Sequence, residues 1–175
     1  MAIIKHKYLT HKINPATEFL IIGTFNPDTK ENPAEFFYGR SRNYLWRLLP
    51  TAFAETDLKD KSKNDKLNFI HKRKIDFIDL ISEVEVEDET NYYDGYIDSR
   101  VSKWHGITNE ITKLKGIKRV CFSRKSFSDI PQMKKRIENI RNFCEDNKIN
   151  FRFLVTPARF YSADKQKEWT HFLIT

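Results

Sequence analysis

The sequence predicts a single α/β domain of three layers (α/β/α), with a central parallel sheet of four strands between helices. Four short apolar segments, 19–22, 75–81, 117–123 and 151–155, have the β-branched and aromatic content of buried strands. Segments with apolar residues at helical spacing separate them. Strands that alternate with helices favour a parallel sheet with helices on both faces. No repeat or linker divides the chain, so we expect one domain over residues 1–175.

The composition limits the classes of partner. The chain is basic, since 31 Lys and Arg residues outnumber 24 Asp and Glu residues and give a formal net charge of +7. This balance favours polyanionic partners, although many basic proteins use it for solubility alone. No apolar run is long enough to span a membrane, and the amino-terminal segment lacks a signal-peptide core. We therefore expect a cytoplasmic protein with no membrane partner.

Metal and cofactor sites find little support. The five histidines are scattered, and no Cys-x-x-Cys or His-x-x-x-His spacing occurs. A glycine-rich phosphate loop and a dinucleotide fingerprint are both missing. Cys121 lies in a predicted strand and Cys144 in a predicted helix, so we interpret both as buried free thiols in a reducing compartment. The sequence predicts neither a metal nor a cofactor.

The first predicted strand, after a polar lead-in of seventeen residues, ends in the loop 23–28, Gly-Thr-Phe-Asn-Pro-Asp. Ligands of α/β sheets bind beyond the carboxyl ends of the strands, so Asn26 lies where a substrate would be met. Asn26 and Asp28 are therefore candidates for contact with a substrate. The alternative for Asn26 is an Asx-turn before Pro27, and the alternative for Asp28 is a loop cap.

Aromatic and basic residues follow this loop and precede a helix-like run that begins at Tyr44. They are Phe36, Phe37 and Tyr38, then Arg40, Arg42 and Asn43. Flat rings beside guanidinium groups suggest a base and a phosphate as ligand. Aromatic triplets also belong to protein cores, and arginines also form solvated surface. A strand, an amide-bearing loop, an aromatic platform and a basic helix entry within about thirty residues favour the functional interpretation.

The remaining elements follow in order. Segment 51–73 is a poorly patterned helix or two, and Asp79 lies inside the second strand, where its carboxylate must be paired or near the end of the sheet. The acidic run 83–89 should face away from any nucleic acid. Apolar residues at helical spacing predict three more helices, marked by Trp104, Ile107, Ile111 and Leu114, by Met133, Ile137, Ile140 and Cys144, and by Trp169, Phe172 and Leu173.

Cations and an aromatic residue follow the third and fourth predicted strands. Arg124 and Lys125 come after the third strand, and Arg159 and Phe160 come after the fourth. These cations are candidate phosphate contacts, and Phe160 or its neighbour Tyr161 is a candidate aromatic contact for the same ligand. The alternative is an ordinary solvated loop, because loop cations and loop aromatics are common.

The segment 18–50 resembles the first motif region of the uracil-DNA glycosylase superfamily, in which a strand runs into a Gly-x-(x)-Pro loop and an aromatic-small-x-Pro-x-Asn-x-Phe-Trp segment. Residues 23–27 fill the first pattern with one extra residue, and 38–46 fill the second with Ser41 in place of proline. The hypoxanthine-DNA glycosylase branch is nearest in pattern, and the mismatch-specific branch is next. Later segments are also similar, namely Asp79-Leu80-Ile81, Asp94, Phe122 to Lys125, Thr156-Pro157-Ala158, Lys165 and Trp169. No histidine stands in 155–159, unlike in the uracil-specific branch.

The resemblance implies a monofunctional, monomeric DNA glycosylase that flips out and excises a deaminated or mismatched base, hypoxanthine or uracil, by water attack on the N-glycosidic bond. Its partner would be DNA containing such a base. The implied catalytic residues are Asn26, Asp28 and Asn43; base-binding residues are Gly23, Thr24, Phe25, Phe37 and Tyr38; DNA-binding residues are Arg40, Arg42, Arg124, Lys125, Thr156, Arg159 and Phe160. The alternatives are a catalytically silent nucleic-acid-binding protein on the same fold and an N-glycosidase of free nucleosides or nucleotides.

Overall fold

The computed structural model describes residues 1–175 and contains seven strands and six α-helices. The strands are β1 (Ala2–Lys5), β2 (Phe19–Gly23), β3 (Ile75–Asp79), β4 (Ile81–Val86), β5 (Val101–Trp104), β6 (Arg119–Phe122) and β7 (Asn150–Phe153). The helices are α1 (Leu45–Ala52), α2 (Lys63–Arg73), α3 (Asp94–Ile97), α4 (Ile107–Thr112), α5 (Pro131–Asp146) and α6 (Ala163–Ile174), and a 3₁₀ turn covers Asp98–Arg100. None of the helices is both long and apolar enough to cross a membrane.

The predicted α/β fold with a four-stranded parallel sheet is confirmed. Strands β3, β2, β6 and β7 lie side by side in that order, and all three pairings are parallel. Strand β2 is central, and its residues Leu20, Ile21 and Ile22 are fully buried because both faces of the sheet are covered. The pairing places Gly23 directly beside Asp79 at the carboxyl ends of β2 and β3.

One face of the parallel sheet packs against α1, α2 and α6. The buried cluster on this face includes Ile21, Phe77 and Cys121 from the sheet and Trp46 and Trp169 from the helices. The predicted helices at 44–49 and around Trp169 are confirmed, and 51–73 contains the end of α1 and all of α2. Helix α2 begins at the Ser62 cap, whose hydroxyl accepts a hydrogen bond from the backbone N–H of Asp65.

The other face packs against α4, α5 and a second sheet that the sequence analysis did not predict. This sheet is antiparallel, with the strand order β1-β4-β5. Residues 1–17 are therefore more than a lead-in, because they supply the edge strand β1. The predicted strand 75–81 is in fact two strands in two sheets, separated at Leu80. In the acidic run, apolar and acidic residues alternate along β4, so that Val84 and Val86 are buried and Glu85 is exposed.

Two further predictions have different outcomes. A helix was predicted to start at Trp104, and this boundary is wrong. Trp104 lies in β5, and α4 begins at Ile107. The two cysteines, Cys121 and Cys144, are buried free thiols as predicted. Burial raises the pKa of Cys144 to about 12, so the thiol stays protonated and unreactive at neutral pH.

Candidate active site

A cavity of about 590 Å³ opens at the carboxyl ends of the parallel strands. Its walls come from the loops after β2, β6 and β7 and from the segment between residues 38 and 43. Predicted site residues that line it are Gly23, Thr24, Phe25, Asn26, Tyr38, Arg40, Arg42, Asn43, Arg124, Thr156 and Arg159. This volume suits a small ligand such as a nucleotide base with its sugar.

Asp79 forms part of the cavity wall and is almost completely buried, with 1% of its surface exposed. One of its carboxylate oxygens, Oδ2, receives two hydrogen bonds of 2.6 Å, from Asn26 Nδ2 and His6 Nε2. The backbone N–H of Tyr8 donates to His6 Nδ1 at 3.0 Å. Because Nδ1 accepts that bond, the proton of the neutral imidazole lies on Nε2 and points to Asp79.

Gly23 allows Asp79 and Tyr38 to approach the end of β2. A Cβ atom at this position would overlap Asp79 Oδ1 and lie 2.8 Å from the Tyr38 hydroxyl. The φ angle of Gly23 is not positive, so the requirement for glycine is one of space rather than backbone conformation. The glycine of the motif therefore makes room for a carboxylate on the neighbouring strand.

The aromatic triplet divides between the core and the cavity. Phe36 and Phe37 are each 2% exposed, and the Phe37 ring stacks on Phe77 with centroids 5.6 Å apart. Tyr38 turns away from them with a φ of 55°, a strained conformation for a non-glycine residue. Its hydroxyl lies 3.0 Å from Ser123 Oγ, and burial, together with the charge of Asp79, raises the tyrosine pKa well above its usual value.

The segment around Asn43 is joined to the loop after β7 by backbone hydrogen bonds. Tyr44 N–H donates to the carbonyl of Pro157 at 2.9 Å, and Arg159 N–H donates to the carbonyl of Arg42 at 2.7 Å. The Asn43 side-chain oxygen accepts from the backbone N–H of Leu45 at 3.0 Å, at the start of α1. Asn43 therefore supports the entry to α1, and its Nδ2 remains available to a ligand.

Helix α6 holds the loop after β7 in place. Lys165 is 4% exposed, and its ammonium donates to the carbonyls of Ala158 at 2.8 Å and Phe160 at 3.0 Å. Trp169 Nε1 donates to the carbonyl of Val155 at 3.0 Å. Burial, and secondarily the charge of Arg159, lowers the pKa of Lys165. The Lys-x-x-x-Trp ending of the sequence thus positions this loop, in which Arg159 has a positive φ of 76°.

The predicted phosphate contacts differ in their partners. Arg40, Arg42 and Arg159 are exposed at the cavity and form no ion pair. Arg124 is paired with Asp94 at 2.6 Å and also with Asp129, and Lys125 is paired with Glu168 outside the cavity. The charges of Arg124 and Lys125 are therefore already offset within the protein.

Asp94 also lines the cavity, beside the loop after β2. Burial raises the pKa of its carboxyl, while hydrogen bonding to Thr24 and the charge of Arg124 oppose the increase.

Besides Lys125, three predicted site residues lie outside the cavity: Asp28 is exposed, Phe37 is in the core, and Phe160 is 57% exposed on the surface.

The loop after β2 offers several unpaired donors. The backbone N–H groups of Thr24, Phe25 and Asn26 make no hydrogen bond within the protein, and all three residues line the cavity. Backbone N–H groups without partners favour the binding of an anion. They are thus available to a ligand that develops negative charge.

A larger cavity of about 770 Å³ shares Asp79 with the first one. His6, His11 and His105 line it, and His105 Nδ1 lies 2.7 Å from the Asp79 carbonyl oxygen. Burial lowers the pKa of His105. This cavity contains none of the arginines and only one predicted site residue, Phe37, so the smaller cavity is the candidate active site. No group of three or more His, Cys, Asp or Glu residues is arranged to hold a metal ion.

Sequence reasoning did not select Asp79, which lines the cavity, or His6, which is hydrogen-bonded to it. Asp79 had a signal, because a carboxylate inside an apolar strand needs a partner. His6 had none, because it lies in a polar segment 73 residues away from Asp79. Ser123 and Tyr93 also line the cavity and were not among the predicted site residues.

Comparison with known proteins defines the class of fold. The sequence matches no protein-family model, and it matches no curated protein. Its structure is similar to the solution NMR structure of a protein from Methanosarcina acetivorans that is provisionally named a uracil DNA glycosylase. The match covers 92% of this chain and 91% of the other, with a TM-score of 0.63 and 18% identity. The protein therefore has a uracil-DNA glycosylase-like α/β fold. The assignment to the hypoxanthine or mismatch branch remains a prediction.

Proposed function

We propose that this protein is a monofunctional DNA glycosylase that excises a deaminated or mismatched base, hypoxanthine or uracil, from DNA. The observation that carries the proposal is the cavity itself. A buried carboxylate held by Asn26 and His6 lies in its wall, and three unpaired arginines lie at its surface. The similarity in fold to a protein provisionally named a uracil DNA glycosylase supports the same class.

Recognition begins with the phosphates and the extruded nucleotide. Arg40, Arg42 and Arg159 have no acidic partner, so their charges are free to contact phosphates. Extruding a base costs a few kcal/mol, and the cost is smallest for a damaged or mismatched pair. The ring of Tyr38 at the cavity wall offers a surface for the base, and stacking on an aromatic side chain contributes about 1–3 kcal/mol.

The chemical step replaces the base with water at C1′ of the deoxyribose. The C1′–N bond breaks, and its electron pair leaves with the base as an anion. The free N–H groups of Thr24, Phe25 and Asn26 stabilise that charge. Asn26 lies next to the attacked carbon in this arrangement, where its amide oxygen orients the water molecule. The products are an abasic site and the free base.

A glycosylase assay tests the proposal. Labelled duplexes would each carry one of uracil, hypoxanthine, xanthine or a G·T mismatch, and alkaline treatment would cleave any abasic site. We expect strand breaks with uracil or hypoxanthine and none with an undamaged duplex. Salt-sensitive DNA binding without any break would favour the silent nucleic-acid-binding protein. Salt-insensitive release of bases from free nucleosides, with no break in DNA, would favour the small-molecule N-glycosidase.

A further inference from the structure

The two carboxylate oxygens of Asp79 are in different environments. Oδ2 accepts hydrogen bonds from His6 and Asn26, whereas Oδ1 accepts none from the protein. Oδ1 is the oxygen that lies against Gly23, and both Gly23 and Asp79 line the 590 Å³ cavity. A carboxylate oxygen without a donor in the protein is free to accept a hydrogen bond from the contents of the cavity. Oδ1 is thus a built acceptor site in the cavity wall.

We propose that Asp79 is the catalytic residue that accepts the proton of the attacking water, and that His6 and Asn26 are positioning residues that hold its carboxylate. This inference rests on the proposed glycosylase function and identifies which residue of the same site acts as the general base. It places the proton acceptor on strand β3, beside the loop after β2 that the sequence pattern indicated.

The chemistry of an amide supports this division of roles. Asn26 carries no group that can take a proton at neutral pH, and its Nδ2 is occupied by Asp79. That bond fixes the side chain so that its Oδ1, which accepts no hydrogen bond from the protein, is left for water. Water held between the Asn26 amide oxygen and Asp79 Oδ1 has one hydrogen directed to each acceptor.

The step balances without any further reactant. Water forms a bond to C1′ as the C1′–N bond breaks, and the electron pair of that bond leaves with the base. The proton of the water moves to Asp79 Oδ1. The departing base anion gains a proton from solvent, and Asp79 returns its proton to solvent. A carboxylate near C1′ also stabilises the positive charge that develops on the sugar.

His6 holds this carboxylate through a hydrogen bond from Nε2 to Oδ2. Because the Tyr8 N–H donates to Nδ1, Nε2 is the ring nitrogen that donates to Asp79. The other titratable groups that interact with the charge of Asp79 are Tyr8, Tyr38 and His105. Burial raises the pKa of both tyrosines and lowers the pKa of His105, so all three are neutral at pH 7.

Single-turnover base release, measured with the protein in saturating excess over the lesion duplex, tests the role of Asp79. Asp79→Asn keeps the shape of the side chain but cannot accept the proton, and we expect the rate to fall about 100-fold or more. Binding to a duplex with a tetrahydrofuran abasic analogue should change by no more than about threefold, since ground-state contacts remain. A rate within threefold of wild type would overturn the assignment.

Asp76→Asn is a matched control for folding. Asp76 is also buried in β3 and is also bonded to a histidine, His11, but it does not line the smaller cavity. We expect this variant to lower the melting temperature and to keep the rate of base release. If Asp76→Asn slowed release as much as Asp79→Asn does, the loss would reflect the fold and the proposal would fail.

Two further variants separate the positioning roles from general packing. Asn26→Asp keeps a water-facing oxygen but places a second carboxylate 2.6 Å from Asp79 Oδ2, so we expect a loss comparable to that of Asp79→Asn. His6→Gln keeps an N–H donor, whereas His6→Leu does not, so release should be about tenfold slower in the leucine variant than in the glutamine variant. Full activity of Asn26→Asp, or equal rates of the two His6 variants, would overturn the positioning roles.

The outcome for wild type separates this inference from the proposed function. If wild-type protein releases no base from any lesion duplex, the glycosylase function itself is refuted, and Asp79 is then not a catalytic residue. If wild type releases a base and Asp79→Asn does so equally well, only the assignment of the proton acceptor is refuted.

Discussion

Two buried aspartates in strand β3, three residues apart, are each bonded to a histidine from the amino-terminal segment. Asp76 uses both of its oxygens inside the protein, because Oδ1 accepts from His11 and from the N–H of Phe77, and Oδ2 accepts from the N–H of Asn14. Asp79 uses only Oδ2. The Asp76–His11 pair at the start of β3 is therefore fully bonded within the protein. The Asp79–His6 pair at the end of β3 leaves one carboxylate oxygen free for a ligand.

The position of each aspartate along the strand explains this difference. Asp76 lies near the amino end of β3, where the chain segment that covers the sheet edge supplies backbone donors. Asp79 lies at the carboxyl end, where parallel sheets bind their ligands. A buried charge is thus better judged by its unsatisfied atoms than by its burial or by its ion-pair partner.

Among the changes that distinguish the Asp79–His6 pair from the Asp76–His11 pair, Asn26→Ala should have the largest effect on the rate of base release. This change removes one of the two donors to Asp79 and one of the two proposed acceptors for water, so base release should fall about 100-fold or more. Affinity for lesion-free DNA should remain nearly unchanged, because no phosphate contact is lost. Single-turnover rates and fluorescence anisotropy measure the two quantities. Equal loss of both would mean that Asn26 has a folding role.

Gly23→Ala should have the next largest effect. The added methyl group would displace Asp79 Oδ1 and the Tyr38 hydroxyl, and we expect base release to slow by about 10- to 100-fold, as misplacement of catalytic groups commonly does. Gly106→Ala is the control, because its added Cβ would meet nothing closer than 3.7 Å. Wild-type rates for both variants would show that the site tolerates movement of Asp79.

Changes to the Asp76–His11 pair should lower the stability of the protein and leave the rate of base release unchanged. Replacing His11 with leucine leaves one bond fewer to the buried carboxylate of Asp76, and we expect the free energy of unfolding to fall by about 1–3 kcal/mol. Urea denaturation measures this loss, and the rate of base release below the unfolding transition should equal that of wild type. A slower rate in the folded variant would extend the catalytic site to the start of β3.

The smallest effects concern the cations around the site. Arg159→Ala should reduce the salt dependence of DNA binding by about one phosphate contact, because Arg159 has no acidic partner. Lys125→Ala should leave the slope nearly unchanged, because Lys125 is paired with Glu168. Affinity titrations over a range of salt concentrations compare the two variants. A larger change for Lys125 would indicate that DNA displaces Glu168.

The parallel sheet was predictable because its strands have strong local signals. Segment 19–22 is apolar and buried on both faces, and the apolar residues of α5 recur at helical spacing. The role of the loop after β2 was predictable for a second reason, because ligands of parallel sheets bind at the carboxyl ends of the strands. Eleven of the predicted site residues line one cavity, because the strand-end loops and the motif segment 38–43 meet there.

The antiparallel sheet and its contribution to the site were not predictable. Strands β1 and β5 have four residues each, and their apolar and polar residues carry too short an alternation to be recognised. The contact between His6 and Asp79 depends on the pairing of β1 with β4, which no local pattern specifies. The left-handed φ of Tyr38 likewise decides which ring of the aromatic triplet faces the cavity, and it leaves no mark in the sequence.

Residues far apart in the chain, His6 and Lys165, hold two parts of the same cavity wall. His6, next to β1, fixes Asp79, and Lys165, in α6, fixes the loop that carries Arg159. The loop after β7 therefore reaches its final position only when α6 packs against it. Removing β1 with His6, or α6 with Lys165, should therefore leave the pocket incomplete.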